Sequence, residues 1–66
     1  MMNNPGRLVL YAKDVALISD VTKRTASRLI IKIRKHFNRP PSPLVTVRDF
    51  CEFTGLEEEK VLEYLK

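Results

Sequence analysis

A cluster of three prolines in the middle of the chain constrains its fold more than any other sequence feature. A helix cannot continue through Arg39-Pro40-Pro41-Ser42-Pro43, because proline lacks an amide donor and disfavours helix in the residue before it. Helical periodicity stops before this segment and resumes after it. A chain of 66 residues has room for only one small core. We therefore expect one domain over residues 1–66, with a stiff connector at residues 40–43.

The segment before the prolines predicts a helix-turn-helix over residues 7–39. A short helix is predicted at residues 12–19, and Thr22 is a suitable N-cap for a longer helix at residues 23–37. Asp20 lies in the turn between them, because aspartate tolerates a left-handed backbone better than most residues. The longer helix has apolar residues at the spacing of a buried stripe, namely Ala26, Leu29, Ile30, Ile33 and Phe37.

The segment after the prolines, residues 44–66, predicts a second unit with the same layout. Thr46 and Asp49 resemble the two ends of a capping box, which predicts a short helix to about Phe53. Gly55 supplies the turn, and a last helix follows at residues 57–65. The β-prone residues 7–11 predict either a short strand or an extended segment packed on the core. The predicted fold class is therefore all-α, with four helices in two helix-turn-helix-like units around one core and a candidate N-terminal strand.

A shift of 35 residues aligns the two units without a gap. The aligned pairs include Asp14 with Asp49, Val21 with Leu56 and Ala26 with Val61. The pairs include one identity, but both units share the order of short helix, tight turn with an apolar third residue, and second helix. We interpret the two halves as one structural pattern used twice.

Charge distinguishes the two units. The net charge is +4, but residues 1–39 sum to +7 and residues 40–66 to −3. This asymmetry indicates a surface for a polyanion on the first unit. The 35-residue shift places Lys23, Arg24 and Arg28 on Glu58, Glu59 and Glu63. Carboxylates at those positions would repel phosphate, so we expect the second unit to complete the core and to offer an acidic face to a partner.

The residues from Tyr11 to Ile30 carry a recognisable motif. It includes the run Tyr11-Ala12-Lys13-Asp14-Val15-Ala16, the pair Val21-Thr22, Thr25 and the run Arg28-Leu29-Ile30. This pattern resembles the helix-turn-helix of excisionase-like and MerR-like DNA-binding proteins, although Asp20 stands where those proteins usually have glycine. The resemblance implies duplex DNA binding, sequence-dependent or general, by a small accessory factor in transcription or recombination. The whole chain also resembles small helical proteins of Bacteroidetes, which implies no function.

The outward face of the longer helix carries the predicted DNA contacts. At 100° per residue, this face lies opposite the buried stripe, and in a helix-turn-helix it enters the major groove. The candidate nucleic-acid-binding residues are Lys13, Lys23, Arg24, Ser27, Arg28, Lys32 and Lys35. Either Arg24 or Arg28 suits the O6 and N7 atoms of guanine, whereas Lys13 and Lys23 suit phosphates.

The alternative function is a protein-interaction or dimerisation module with no nucleic-acid role. Ile31 lies within the outward basic stripe, and with Arg34 it is a candidate homodimer contact. Two copies would meet either through an apolar seam at Ile31 or through the basic face of one chain and the acidic unit of another. The seam is slightly favoured, because exposed charge pairs are worth under ~1 kcal/mol each.

No catalytic, metal or cofactor site is predicted. His36 and Cys51 are the only residues of their types, and neither lies in a recognisable catalytic motif. We expect His36 at the surface and Cys51 as a small buried residue, and no enzyme activity or small-molecule substrate. No apolar run approaches the ~20 residues of a membrane helix. The first residues lack the features of a signal peptide, so we expect a cytoplasmic protein.

Overall fold

The computed structural model describes residues 8–65, so Arg7 of the predicted strand and the two ends of the predicted domain lie outside the described residues. The elements follow in the order β1 (Val9–Tyr11), α1 (Ala12–Ser19), α2 (Lys23–His36), β2 (Leu44–Thr46), α3 (Val47–Thr54) and α4 (Glu58–Tyr64). The fold is mostly helical, with a small two-stranded antiparallel sheet. The sequence predicts the four helices and suggests β1, but it does not predict β2, so the all-α description holds only roughly.

The two strands occupy equivalent positions in the two units. Their antiparallel register pairs Val9 with Thr46, Leu10 with Val45 and Tyr11 with Leu44. A shift of 35 residues places β1 on β2 and α1 on α3, and the central ladder pair joins two equivalent residues. An approximate two-fold axis therefore passes near this pair. In agreement with this symmetry, α1 contacts α4 as α3 contacts α2.

One hydrophobic core serves both units. The first unit contributes Leu10, Val15, Ala26, Ile30 and Ile33, and the second contributes Val45, Val47, Phe50, Cys51 and Val61. Leu29 and Phe37, which the sequence places in the buried stripe, are half-buried and pack against the edge of this core. Each unit covers the apolar face of the other, as two packed layers must.

Local hydrogen bonds and backbone conformation set the helix boundaries. The Thr22 hydroxyl accepts a hydrogen bond from the Thr25 amide and caps α2. Asp20 closes α1 in the left-handed conformation (φ 57°, ψ 49°), and Gly55 closes α3 at its equivalent position (φ 82°). The last helix begins at Glu58 with Glu57 as its N-cap, one residue later than predicted.

Two arginines form hydrogen bonds and an ion pair that hold the connector region against the helices. The Arg34 guanidinium donates to the carbonyl of Pro40 (2.6 Å) and to that of Leu44 (2.9 Å). Arg39 donates to both carboxylate oxygens of Asp49 (2.9 and 3.1 Å), and Asp49 raises the pKa of this guanidinium through hydrogen bonding and charge. The predicted capping box is therefore half formed. The Thr46 hydroxyl accepts from the Asp49 amide (3.0 Å), while the Asp49 carboxylate faces Arg39.

Candidate nucleic-acid interface

The outward face of α2 is a cationic surface. Ala26, Ile30 and Ile33 turn one side of the helix into the core, which leaves the opposite side in solvent. The exposed residues on and beside this outer side include every predicted contact of the helix, namely Lys23, Arg24, Ser27, Arg28, Lys32 and Lys35. At 1.5 Å per residue, the cations span about 18 Å along the helix axis.

None of these cations forms an ion pair in the part of the chain that the structure describes. The single ion pair among residues 8–65 joins Arg39 to Asp49, at the other end of α2. Asp14, the acid nearest to Lys13 in sequence, accepts a hydrogen bond from the Tyr11 amide (2.9 Å) and so caps the start of α1. The positive charge of this face therefore remains available to an external anion.

A groove of about 600 Å³ brings Lys13 of α1 together with Lys23 and Ser27 of α2. Its apolar lining includes Tyr11 and Pro43, neither of which is among the predicted nucleic-acid contacts. The strand pairing creates this arrangement, because it sets the end of the connector beside the start of α1. No local sequence signal reports such a long-range contact. Arg24, Arg28 and Lys32 do not line the groove and lie farther around the exposed surface of α2.

The two candidate dimer contacts differ in their surroundings. Ile31 is 54% exposed and lies between the groove and a smaller hollow of about 70 Å³. This hollow is lined by Lys35, Arg39 and the connector. Arg34 is half-buried and its guanidinium already hydrogen-bonds the connector of its own chain. The structure therefore leaves Ile31 as the more available of the two.

The second unit presents the opposite charge at the same positions. Glu58, Glu59 and Glu63 are all exposed on α4, where the two-fold relation makes them the counterparts of Lys23, Arg24 and Arg28. One chain thus carries a cationic α2 and an acidic α4. Positive and negative charges are therefore concentrated on different helices of the same small molecule.

Cys51 and His36, the single residues of their types, both pack against neighbouring groups of the fold. Burial, aided by the charge of Glu58, raises the pKa of the Cys51 thiol. The exposed His36 makes edge-on ring contacts with Phe37 and Phe53, at centroid distances of 4.8 and 5.2 Å.

Within residues 8–65 there is no group of three or more His, Cys, Asp or Glu side chains that could hold a metal ion. No helix in this part of the chain has the length and apolarity to cross a bilayer.

The site offers charge and hydrogen-bond donors to a ligand. Arg24 and Arg28 are about one helical turn apart, so the two arginine side chains leave the same face of α2. Lys13 and Lys23 extend the positive surface to one side of them. Such a surface is suited to a rigid, regularly spaced polyanion. Comparisons with models of protein families, with curated proteins and with solved structures find no match to this chain.

Proposed function

We propose that the chain binds duplex DNA through the outward face of α2, as a small accessory factor in transcription or recombination. The observation that carries this proposal is the row of exposed cations on the second helix of a helix-turn-helix, none of them paired within residues 8–65. In this motif the second helix enters the major groove and its outward side chains meet bases and phosphates.

Each cation has a role that follows from its position. Arg24 and Arg28 lie in the first half of α2 and would reach base edges, where arginine pairs with the O6 and N7 atoms of guanine. Ser27, between them, would add a hydrogen bond to a base or phosphate. Lys13 and Lys23 would contact one phosphate strand, and the distal residues Lys32 and Lys35 would contact the other.

One chain has the size to occupy one segment of major groove. The longest dimension of the molecule is 30 Å. One turn of duplex DNA, which separates the half-sites of a typical dimer, is ~34–36 Å long. A single copy therefore covers about one turn, and a specific site of larger size would need a second copy.

The proposal is tested by reversing charge on the proposed face and, as a control, elsewhere. Arg24→Glu/Arg28→Glu should lower duplex affinity at least about 30-fold, because two bidentate base contacts are worth ~1–3 kcal/mol each. The control Arg48→Glu/Lys60→Glu changes the net charge equally at two exposed positions of the second unit. It should weaken binding far less. Circular dichroism of both variants should show wild-type helix content, since all four residues are exposed.

The salt dependence of binding provides an independent check on the same face. If about four to six cations contact phosphates, log K should fall against log salt concentration with a slope of roughly −3.6 to −5.4. Equal loss of affinity in the two double variants would mean that binding follows net charge and not the face of α2. No binding of wild type to duplex DNA at low salt would reject the proposal.

A further inference from the structure

The groove beside α2 and the exposed side of α4 are complementary in charge. Lys13 and Lys23 line the groove, whereas Glu59 and Glu63 lie one turn apart on α4. Neither set forms an ion pair within residues 8–65. Because the approximate two-fold axis relates α2 to α4, the cations of one helix have carboxylates at their equivalent positions in the other. Two copies of the chain can therefore present opposite charges to each other.

The two surfaces are also complementary in their apolar parts. Tyr11 and Ile31 line the groove and are about half exposed. On α4, Tyr64 is 51% exposed and lines a shallow hollow together with Glu63. A groove of about 600 Å³ is large enough to receive an aromatic side chain. An exposed aromatic ring beside two carboxylates matches an apolar groove edged by two lysines.

The alternative seam between two α2 helices is less favourable. An isologous seam centred on Ile31 would bring Arg28, Lys32 and Lys35 of one copy close to the same residues of the other. These cations have no carboxylate partner among residues 8–65 that could relieve their repulsion. The Arg34 guanidinium already donates two hydrogen bonds to the connector carbonyls of its own chain, and its positive charge would add to the repulsion.

We propose that the groove receives the acidic α4 of a second copy, and that this contact shields the part of the DNA-binding face formed by Lys13, Lys23 and Ser27 until DNA displaces it. The shielding rests on the proposed function, whereas the contact between copies does not. Each chain carries both surfaces, so the contact can be made twice in a closed dimer. Single exposed ion pairs contribute little, so the dimer is weak and salt-sensitive, and its charges chiefly determine which surfaces meet.

Sedimentation equilibrium of the wild-type chain without DNA provides the first test. At about 0.01 M salt, where the Debye length is ~30 Å, the average mass should rise with protein concentration. It should rise towards twice the 7.7 kDa of one chain. At about 1 M salt, where the Debye length is ~3 Å, the chain should return to monomer. A chain that is monomeric at both salt concentrations overturns the proposal.

Charge exchange between the two surfaces provides the second test. Lys13→Glu/Lys23→Glu makes the groove acidic, and Glu59→Lys/Glu63→Lys makes α4 basic. Neither variant should self-associate at low salt, but an equimolar mixture should form a heterodimer, because both contacts then have opposite charges. Glu63→Lys alone should weaken self-association, whereas its control Glu52→Lys, which changes the charge equally at an exposed position of α3, should leave it unchanged. Circular dichroism verifies that each variant is folded. If a double variant does not fold, the milder Lys23→Gln or Glu63→Gln replaces it in the self-association measurement and should weaken the dimer.

Besides a chain that is always monomeric, three results would overturn the contact between copies. These are self-association of either double variant as strong as that of wild type, a mixture that stays monomeric, and a wild-type dimer that survives high salt but dissociates on Ile31→Asp. The last result would assign an apolar contact centred on Ile31 in place of the charged one. Duplex DNA added to the wild-type dimer should release the second copy. Bound DNA that leaves the dimer intact would refute the shielding, whereas a dimer with no DNA binding at all would refute only the proposed function and its regulation.

Discussion

Two isoleucines two positions apart on α2 illustrate how position decides the role of a residue. Ile33 is fully buried in the shared core, whereas Ile31 is 54% exposed beside the cations. The periodicity of the sequence separates them, because two residues on a helix are 200° apart. The same angular argument gives the outward direction of Arg24 and Arg28. If the buried side of α2 were wrongly assigned, the proposed DNA-binding face on the opposite side would therefore be wrong as well.

This link gives a prediction about stability at the residue scale. Ile33→Ala should lower the free energy of unfolding by about 2–5 kcal/mol, because it removes methyl groups from a packed site. Ile31→Ala should change it by less than about 0.5 kcal/mol, since its side chain is largely in water already. Urea denaturation followed by circular dichroism measures both. Equal effects of the two substitutions would show that the wrong side of α2 has been assigned to the core.

The secondary-structure elements show which parts of the fold are encoded locally. The helices agree with prediction to within about a residue, since caps such as Thr22 and turns such as Gly55 act within a few residues. The strand β2 is different, because it is three residues long and its partner lies 35 residues away. A single sequence carries no local signal for that pairing. The exposed cations are predictable for the same reason as the helices, but the groove, which depends on the strand pairing, is not.

The ion pair at the start of α3 gives a prediction at the scale of elements. The Asp49 side chain is 4% exposed, whereas that of Arg39 is 51% exposed. Arg39→Gln leaves a buried carboxylate without its cation, but Asp49→Asn leaves a guanidinium that water can solvate. Arg39→Gln should therefore lower the urea midpoint more than Asp49→Asn, although both remove the same pair. A larger loss in Asp49→Asn would mean that Asp49 acts mainly through contacts within α3.

At the scale of the whole molecule, the two units differ in charge and in proposed role, but they do not fold independently of each other. The cationic unit carries the proposed DNA contacts, and the acidic unit carries none of them. Nevertheless, each unit supplies five of the ten buried core residues found between positions 8 and 65, and the sheet has one strand from each unit. A core shared in this way is expected to melt in a single step in so small a domain. The acidic unit is thus needed to hold α2 in place.

A substitution in the acidic unit should therefore unfold the cationic one. Phe50 is the largest fully buried side chain, and Phe50→Ala should remove about 3–5 kcal/mol. That loss equals the entire stability of ~3–5 kcal/mol that one core supplies to a chain of this size. Hydrogen exchange should then show loss of protection at the amides of Ala26 and Ile30 in α2, together with loss of DNA binding. Phe53→Ala, at a half-buried position of the same helix, is the control and should retain most of both. Protected α2 amides in an otherwise unfolded Phe50→Ala chain would show that the first unit folds without the second.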